Sequence, residues 1–392
     1  MSTITEDLID VPAGLAGVRA ADTSLGDVRG REGFYHYRQY SAIDLAVKRT
    51  LEDVWYLLYE GRLPSAAELA DFRAEIDGLR DIPHELAVAL PAIATRGDGT
   101  ALLPRLRTAL SLLASIEGSA PVWGSDRATR RRDAMRVAAI TPTVLAALHR
   151  LRHGEEPLTA RPGLSAAAQW LFLLHGEEAG PADVEAIDRY LVCTVDHGFN
   201  ASTFTARVVT SAGADVPSAV CAAIGAFSGP LHGGAPDRAL DALDEIGTPE
   251  RIRPWVRARI ESGDRIMGFG HAVYRTEDPR ARMLREIALQ RGGDLAHFAA
   301  EVERQVVSIL DELKPGRELR TNVEFWAGVV MEQAGLSRPL FTPTFAVARA
   351  VGWTANILEQ AQESKIIRPA ARYIGPPPPQ PVPEVSAATP AA

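Results

Sequence analysis

The chain is poor in cysteine and lacks a long apolar run, and these two absences exclude several classes of protein. Its 392 residues contain only two cysteines, Cys193 and Cys221. Two cysteines build no disulfide framework, so we expect a reducing compartment and a cytoplasmic protein. No uninterrupted apolar run reaches the ~20 residues that cross a bilayer. The N-terminus shows no basic region followed by an apolar one, so we also expect no signal peptide.

The chain also lacks an excess of positive charge. Its 42 Lys and Arg residues are outnumbered by 50 Asp and Glu residues, for a net charge of −8. This balance argues against a nucleic-acid partner or an anionic membrane surface. The sequence has neither a metal-ligand spacing nor a phosphate-binding Gly-Lys-Ser/Thr loop, so no metal is expected. Any anionic ligand must therefore be held by a local group of arginines.

The remaining composition is that of a large globular protein. Hydrophobic residues make up 46% of the chain, which is ample for an extended core, and the length allows two or three domains. From Thr50 onward the apolar residues recur at helical spacing, without a run of alternating strands. Thr50 with Asp53, and Ser65 with Glu68, are typical of capping boxes at helix starts. The predicted fold class is mainly α.

Three segments depart from the regular helical pattern. Val18–Ala20 and Phe34–Arg38 predict short strands that could pair as a short N-terminal β-hairpin. Thr129–Arg152 is a long helical stretch, and Pro142 within it is expected to break or kink the helix. Residues 376–392 are rich in proline and alanine, and they predict a disordered or polyproline-like tail.

Functional residue types concentrate in Ile266–Arg280. Asp278 and Pro279 predict a helix start there, which places Arg280 in the first turn, where the helix dipole disfavours a cation. This placement suggests an anion nearby. The alternative is a glycine-rich turn with a surface histidine and two solvated arginines. The segment contains two glycines that let another group approach the backbone closely, one histidine and two arginines: Gly268, Gly270, His271, Arg275 and Arg280.

Two further segments hold a histidine and a carboxylate in unusual surroundings. His232 lies between a Gly-Pro turn and two glycines, just before a helix start predicted at Pro236. A helix N-terminus disfavours the imidazolium, and a neutral imidazole can donate a hydrogen bond to a carbonyl oxygen. Glu324 has apolar neighbours, and desolvation among them would make it a stronger base. The alternatives are a loop histidine that binds local backbone and an exposed first-turn glutamate.

Three other residues are suited to binding an anion. His197 follows a predicted helix end, where it could stabilise the helix C-terminus or bind an anion. Arg349 and Arg368 lie in otherwise apolar surroundings. Such an arginine pairs with a carboxylate of the protein, or it clamps a substrate carboxylate through a bidentate contact.

Together these motifs resemble those of citrate synthases. The resemblance extends over about residues 14–375, and it includes segments 345–353 and 366–369. The chain is similar to the compact bacterial and archaeal type of the family. Its three longest shared motifs are, in chain order, Gly-Pro-Leu-His-Gly-Gly-Ala from Gly229, Gly-Phe-Gly-His-Ala-Val-Tyr-Arg from Gly268, and Asn-Val-Glu-Phe-Trp-Ala-Gly from Asn322.

The resemblance implies a mostly helical homodimer with two domains in each subunit. The large domain would combine residues 1–233 with residues 336–375, and the small domain would be residues 234–335. The implied reaction condenses acetyl-CoA with oxaloacetate and then hydrolyses the product to citrate and CoA. Acetyl-CoA would be a cosubstrate, and no tightly bound cofactor is implied.

The resemblance also implies a role for each site residue. His232 would donate to the developing enolate oxygen, Glu324 would remove the α-proton, and His271 would polarise the oxaloacetate ketone. The carboxylates of oxaloacetate would be held by His197, Arg280, Arg349 and Arg368. CoA would be bound by Arg275 and by the backbone of Met267, Gly268, Phe269 and Gly270.

Glu324 departs from the family, whose usual base is aspartate. On a fixed backbone the extra methylene moves the carboxylate by more than about an ångström, and misplacement on that scale can cost ~100-fold in rate. Three functions therefore stay open. They are a citrate synthase, a 2-methylcitrate synthase that uses propionyl-CoA, and a weakly active CoA-binding paralogue with a regulatory role.

Overall fold

The computed structural model describes residues 8–97, 101–229, 232, 236–271 and 273–382. These residues form sixteen α-helices and three short β-strands, so the prediction of a mainly α fold is confirmed. Within the described ranges, no helix is both long enough and apolar enough to cross a membrane.

A small antiparallel sheet precedes the helices. Its strands are β1 (Gly26–Arg29), β2 (Phe34–Tyr37) and β3 (Tyr40–Ser41), which pair in that order. The predicted hairpin is present, but the prediction of its first strand was wrong, because β1 and not Val18–Ala20 pairs with β2. A short strand needs one buried face. Tyr35 and Tyr37 are buried in the core, whereas Val18–Ala20 is exposed and forms no strand.

Ten helices form the first part of the chain. Both predicted capping boxes are present, at Thr50–Asp53 and at Ser65–Glu68. The helices are α1 (Ala42–Lys48), α2 (Leu51–Glu60), α3 (Ala66–Asp77), α4 (His84–Thr95), α5 (Leu102–Glu117), α6 (Arg127–Arg152), α7 (Ala166–His175), α8 (Pro181–Thr194), α9 (Ala201–Ser211) and α10 (Val216–Phe227).

The predicted break at Pro142 is wrong, and the alternative of a kink stays a prediction. α6 continues through this proline as a single helix of 26 residues, and most of its residues from Ala134 to Leu148 are buried. An internal proline costs ~3 kcal/mol through its missing N–H and the clash of its ring. We attribute the continuity of α6 to this burial, which offsets that cost.

Six helices follow. As predicted, α11 begins at Pro236, and α13 begins at Pro279 after the N-cap residue Asp278. The helices are α11 (Pro236–Ile246), α12 (Ile252–Glu261), α13 (Pro279–Arg291), α14 (Asp294–Leu313), α15 (Val323–Gln333) and α16 (Phe341–Gln360).

α16 lies at the centre of the core, against α6, α8, α9 and α10. It is buried around almost its whole circumference, as expected for a helix that is apolar on all sides. Its polar side chains are paired, since Tyr59 Oη donates to Thr354 Oγ1 at 2.7 Å and Trp170 Nε1 donates to Thr344 Oγ1 at 3.1 Å. The helix therefore provides a rigid support for the polar residues that it carries.

The chain divides into two compact units. Thr23–Lys365 forms one unit and contains all the helices and strands named above. The other unit comprises the two ends of the chain, in which Arg372 Nη2 pairs with Asp10 Oδ1 at 2.5 Å.

Two predictions about the organisation of the chain stay predictions. Residues 376–382 of the expected tail are exposed and form no helix or strand, and residues 383–392 lie outside the described part of the chain. The expected boundary between a large and a small domain, at residues 233 and 234, also lies outside the described residues.

Candidate active site

One cavity of about 550 Å³ collects half of the predicted site residues. It lies where the turn between α8 and α9 meets the starts of α13 and α15 and the middle of α16. Six predicted residues line it: His197, His232, His271, Arg280, Glu324 and Arg349. Residues that are distant in the sequence therefore share one site, and their individual roles stay predictions.

His197 follows the C-terminal end of α8. Its Nε2 lies 3.0 Å from Tyr274 Oη, and its ring centroid is 5.7 Å from that of His271. Burial, together with the positive charge of Arg280, holds the pKa of His197 well below its ordinary value. His197 is therefore neutral, and it can contact an anion only through an N–H donor and not as an imidazolium.

His232 is held by the first turn of α9. The backbone N–H of Ser202 donates to His232 Nε2 at 3.3 Å, and Ser202 Oγ lies 2.9 Å from the same nitrogen. An Nε2 that accepts a backbone N–H carries no proton, so the neutral ring has its proton on Nδ1. Burial, with a further contribution from Arg349, lowers the pKa of His232 to about 4. The predicted neutral state therefore follows mainly from burial. The motif residues 230, 231 and 233–235 lie outside the described part of the chain.

His271 has the opposite tautomer. Its Nδ1 accepts the backbone N–H groups of Val273 at 2.9 Å and Tyr274 at 3.1 Å, so Nε2 carries the proton. Burial and the charge of Arg280 lower the pKa of His271 to about 4. Arg280 Nη2 lies 3.4 Å from His271 Nε2. Both atoms are donors, so they do not bond to each other, and together they present two N–H groups to an acceptor in the cavity.

The anion that the sequence suggested beside Arg280 is Asp278. Arg280 Nη2 donates to Asp278 Oδ2 at 2.8 Å and Nε donates to Oδ1 at 3.0 Å, with both side chains buried. Asp278 also accepts the backbone N–H of Arg280 at 3.0 Å and that of Val323 at 3.1 Å. One carboxylate therefore caps α13, orients Arg280 and fixes the start of α15.

Glu324 lies in the first turn of α15. Asn322 caps this helix by accepting the backbone N–H of Glu324 at 3.1 Å. Asn322 N donates to Gly268 O at 2.9 Å, and its Nδ2 donates to Gly270 O at 3.1 Å. The two glycines, with φ of 84° and 87°, thus bring the His271 segment against the residue that positions Glu324.

The predicted CoA-binding residues are not among those that line this cavity. Arg275 and the segment Met267–Gly270 lie outside its described wall, although they precede or follow His271 closely in the chain. Gly270 N donates to Arg320 O at 2.8 Å, so this segment is bound to the residues before α15. CoA binding by these residues stays a prediction.

Arg349 projects from the buried middle of α16. Its Nε donates to Thr194 O at 3.0 Å, and its guanidinium lies over the ring of Phe345, 4.8 Å from the centroid. Burial lowers the pKa of Arg349, and the carboxylate of Asp196 opposes this shift. Arg368 belongs to the unit formed by the chain ends, and its role stays a prediction.

The sequence reasoning missed three residues that hold the site together. Ser202 contacts His232, Trp353 Nε1 donates to Ser202 Oγ at 3.1 Å, and Tyr274 contacts His197. Tyr274 could have been found, because it follows His271 closely in the same motif. Across the described residues, no three His, Cys, Asp or Glu side chains are grouped so as to hold a metal ion.

Comparison with known proteins gives the same family throughout the chain. The family profile described as citrate synthase, C-terminal domain, matches residues 14–370. Citrate synthase 2 of Bacillus subtilis (strain 168) is 37% identical over 365 residues, which cover 93% of this chain and 95% of that protein. The 2-methylcitrate synthase of Mycobacterium tuberculosis (strain Erdman) is also 37% identical, over 93% of this chain and 91% of that protein.

A solved structure agrees with these sequence matches. Citrate synthase from Thermoplasma acidophilum, in a ternary complex with carboxymethyl coenzyme A and oxaloacetate, has a TM-score of 0.86 to this chain. The two are 27% identical, and the match covers 94% of this chain and 97% of that one. The family match, the sequence identity and the shared fold confirm the resemblance, and the chain belongs to the citrate synthase family.

Proposed function

We propose that the protein condenses acetyl-CoA with oxaloacetate and hydrolyses the product to citrate and CoA. One observation carries this proposal. Two neutral histidines with opposite tautomers, His232 and His271, line the same cavity as the carboxylate of Glu324. Carbon–carbon bond formation from a thioester needs a base and a donor for the acyl group, and a second donor for the ketone.

Removal of the α-proton requires more than a carboxylate base. An ordinary glutamate has a pKa of ~4, far below that of a thioester α-carbon. The transfer becomes feasible when the developing enolate oxygen is stabilised in the same step. Glu324 takes the proton, and His232 donates its Nδ1–H to the enolate oxygen, because its Nε2 is occupied by the backbone N–H of Ser202.

Oxaloacetate is a dianion, and the opposite side of the cavity suits it. His271 Nε2–H polarises the ketone, and Arg280, 3.4 Å from that nitrogen, binds the neighbouring carboxylate. Arg349 and the neutral His197 hold the second carboxylate. Arg280 and Arg349 thus supply guanidinium N–H donors for the two carboxylates, and Asp278 holds the guanidinium group of Arg280 in place.

We also propose the two-domain division into residues 1–233 with 336–375 and residues 234–335. The wall of the cavity supports it. His197, His232 and Arg349 come from the first part, whereas His271, Arg280 and Glu324 come from the second. Closure of such a cleft would bring the two groups of residues together and exclude water until condensation is complete.

Acetyl-CoA is the expected substrate in preference to propionyl-CoA. Relatives of both named activities are equally similar to this chain, so identity does not separate them. One methylene in a pocket discriminates by only ~10–200-fold, so we expect some turnover of propionyl-CoA.

CoA release with oxaloacetate and either acyl-CoA tests this proposal. We expect turnover with both and a higher kcat/KM for acetyl-CoA. A higher value for propionyl-CoA would assign 2-methylcitrate synthesis. Absence of release with either substrate, together with CoA binding in calorimetry, would assign the weakly active paralogue.

We further propose a homodimer in which Arg368 completes the site of the partner subunit. The support is the likeness of Ile366-Ile-Arg-Pro369 to the family segment whose arginine crosses the interface. Co-expression of His271→Ala with Arg368→Ala subunits tests it, because only a mixed dimer then contains a whole site. Random pairing makes roughly a quarter of all sites active. If mixed dimers are present and their activity is no higher than that of the separate mutants, Arg368 does not complete the site of the partner subunit.

A reducing, cytoplasmic location is proposed on the state of the two thiols. Cys193 and Cys221 are free, and they are not bonded to each other. Burial raises the pKa of Cys193 to about 12 and that of Cys221 to about 11. Both thiols are therefore poor nucleophiles, which suits structural cysteines in a reducing compartment.

A further inference from the structure

We propose that the turn of the β1–β2 hairpin is a positioning element for His271, and that Gly30 is the residue through which it acts. This inference rests on the proposed function, because it concerns the histidine that polarises the ketone. The hairpin turn lies far from His271 in the sequence, and no residue of it was predicted to belong to the site.

Gly30 is in direct contact with the loop that follows His271. A methyl group on Gly30 would lie less than 3.0 Å from the carbonyl oxygen of Val273, 2.7 Å from its carbonyl carbon and 2.9 Å from its Cγ1. A methyl carbon does not come so close to atoms that it is not bonded to, so only glycine allows this contact. The φ angle of Gly30 is one that alanine also adopts, so the contact and not the backbone conformation requires glycine.

Two further contacts bind the hairpin turn to the same loop. The backbone N–H of Arg275 donates to Gly30 O at 3.0 Å. At the other end of the turn, a methyl group on Gly33 would lie 2.8 Å from Thr276 Oγ1. The turn therefore contacts the loop at three positions, 273, 275 and 276.

The same loop residues set the protonation of His271. The backbone N–H groups of Val273 and Tyr274 donate to His271 Nδ1, which leaves the proton on Nε2. Val273 thus contacts Gly30 through its carbonyl group and His271 through its N–H. A shift of the Val273 backbone would move these donors and allow the ring to rotate or change tautomer.

The hairpin is suited to this role because its second strand is anchored in the core. Tyr35 Oη donates to Cys193 O at 2.9 Å, and Tyr37 Oη donates to Val192 O at 3.0 Å. Both carbonyl groups belong to the last turn of α8, directly before His197. The hairpin therefore connects the His271 loop to the end of the helix that precedes His197.

Substitution Gly30→Ala tests the inference, with two alanine substitutions as controls. Gly26→Ala places a methyl group less than 3.0 Å from His36 O, so it strains the hairpin with no contact to the loop. Gly78→Ala meets only ordinary contacts, at 3.7 Å, and measures the generic effect of a methyl group. Thermal unfolding, kcat and oxaloacetate affinity are measured for all three proteins.

The imidazole ¹⁵N resonances of His271 supply a readout that does not depend on catalysis. They are assigned by comparison with His271→Ala in protein labelled at histidine. In the unsubstituted protein we expect one protonated nitrogen, Nε2, and one unprotonated nitrogen, Nδ1. In Gly30→Ala we expect the two resonances to move toward each other, because both tautomers are then populated. Gly26→Ala and Gly78→Ala should keep the original resonances.

We expect Gly30→Ala to lower kcat by ~10-fold or more, since an ångström of misplacement can cost up to ~100-fold. Oxaloacetate affinity should change by less than about threefold, because the arginines that hold the substrate remain in place. Should Gly30→Ala not fold, Val273→Ala trims a side chain that is 42% exposed and removes its Cγ1 from the contact with Gly30, while the carbonyl contact is kept. The same resonance shift, to a smaller extent, is then expected.

Unchanged His271 resonances and kcat in a folded Gly30→Ala protein would overturn the inference. Equal losses of kcat in Gly26→Ala and Gly30→Ala, at equal loss of melting temperature, would also overturn it, since general strain of the hairpin would then explain both. A resonance shift in Gly30→Ala without condensation by the unsubstituted protein would keep the positioning role and reject the proposed function instead.

Discussion

The two sides of the cavity hold their functional groups in different ways. The helical wall, formed by His197, His232 and Arg349, rests on bonds that reach into the buried core. Arg349 Nε donates to Thr194 O, and the contact of His232 with Ser202 is supported by Trp353, which is buried in α16. Its geometry therefore follows from the packing of helices.

The loop wall, formed by His271, Arg280 and Glu324, rests mainly on caps and backbone bonds. Asp278 and Asn322 cap the two helices that carry Arg280 and Glu324, and two backbone N–H groups hold His271. Loops and helix ends open at lower free-energy cost than buried helices. We infer that the helical wall is the fixed half of the site and that the loop wall is the half that adjusts when substrate binds.

Substitution Glu324→Gln should have the largest effect, because it removes the proton acceptor of the loop wall. The isosteric amide cannot accept a proton, so we expect condensation to fall by ~10³-fold or more, the range of general-base catalysis. Oxaloacetate affinity should be kept, because in the proposed function other residues bind that substrate. Steady-state kinetics and calorimetry check both expectations. Glu324→Asp is the companion variant, and a fully active Gln variant would exclude Glu324 as the base.

Removal of one histidine from each wall sharpens the comparison. His232→Ala and His271→Ala should each lower kcat by ~100-fold or more, since each deletes a donor to developing negative charge. They should differ in stability. His271→Ala also leaves two N–H groups without an acceptor, but they belong to a loop in which the Val273 N–H is exposed. His232→Ala leaves the half-buried Ser202 N–H without its partner at the start of a packed helix, so it should lower the melting temperature more. Near-normal turnover in either folded protein would defeat its assigned role.

The loop wall could be predicted from the sequence better than the helical wall. His271 and Arg280 lie within one segment, and the helix start at Asp278 has a local signature. The contacts of Ser202 with His232 and Trp353 join residues that are 30 and 151 positions apart, and no local pattern encodes them. The capping boxes were predictable for the same reason, since their two residues are only three positions apart.

The errors in the predicted fold have a related cause. Val18–Ala20 has the local composition of a strand, but it has no buried face in the folded chain. Pro142 is a local helix breaker, and its cost is offset by packing that the sequence does not display. Local propensity is therefore informative at helix ends and turns, and tertiary contacts override it in the core.

Gly352→Ala tests the packing of the helical wall. A methyl group there would lie less than 3.0 Å from Val195 O and 3.4 Å from Asp196 Cβ, next to His197. Overpacking of this kind costs ~1–3 kcal/mol. We expect the melting temperature to fall and kcat to drop by about tenfold, because α16 carries Arg349 away from His197. Gly225→Ala in α10, whose methyl group meets only the end of Arg107, is the matched control. Loss of stability with unchanged kcat would show that α16 and the segment that carries His197 shift together, so that Arg349 keeps its position relative to His197.

Ser202→Ala should have the smallest effect on catalysis and a clear effect on stability, and this contrast is specific to the helical wall. The substitution removes the hydroxyl group but keeps the backbone N–H that binds His232 Nε2, so the tautomer of His232 is preserved. We therefore expect kcat to fall only about three- to tenfold, the consequence of a less constrained ring. Trp353 Nε1, in the core, loses its acceptor, and an unpaired buried donor costs ~1–3 kcal/mol.

Thr205→Ala in the same helix is the control, because that hydroxyl group donates to the carbonyl of Ala201 in the preceding turn. Thermal unfolding and steady-state kinetics separate the two effects. If Ser202→Ala lost as much activity as His232→Ala, the hydroxyl group and not the backbone would set the tautomer, and the rigidity ascribed to the helical wall would depend on a single side chain.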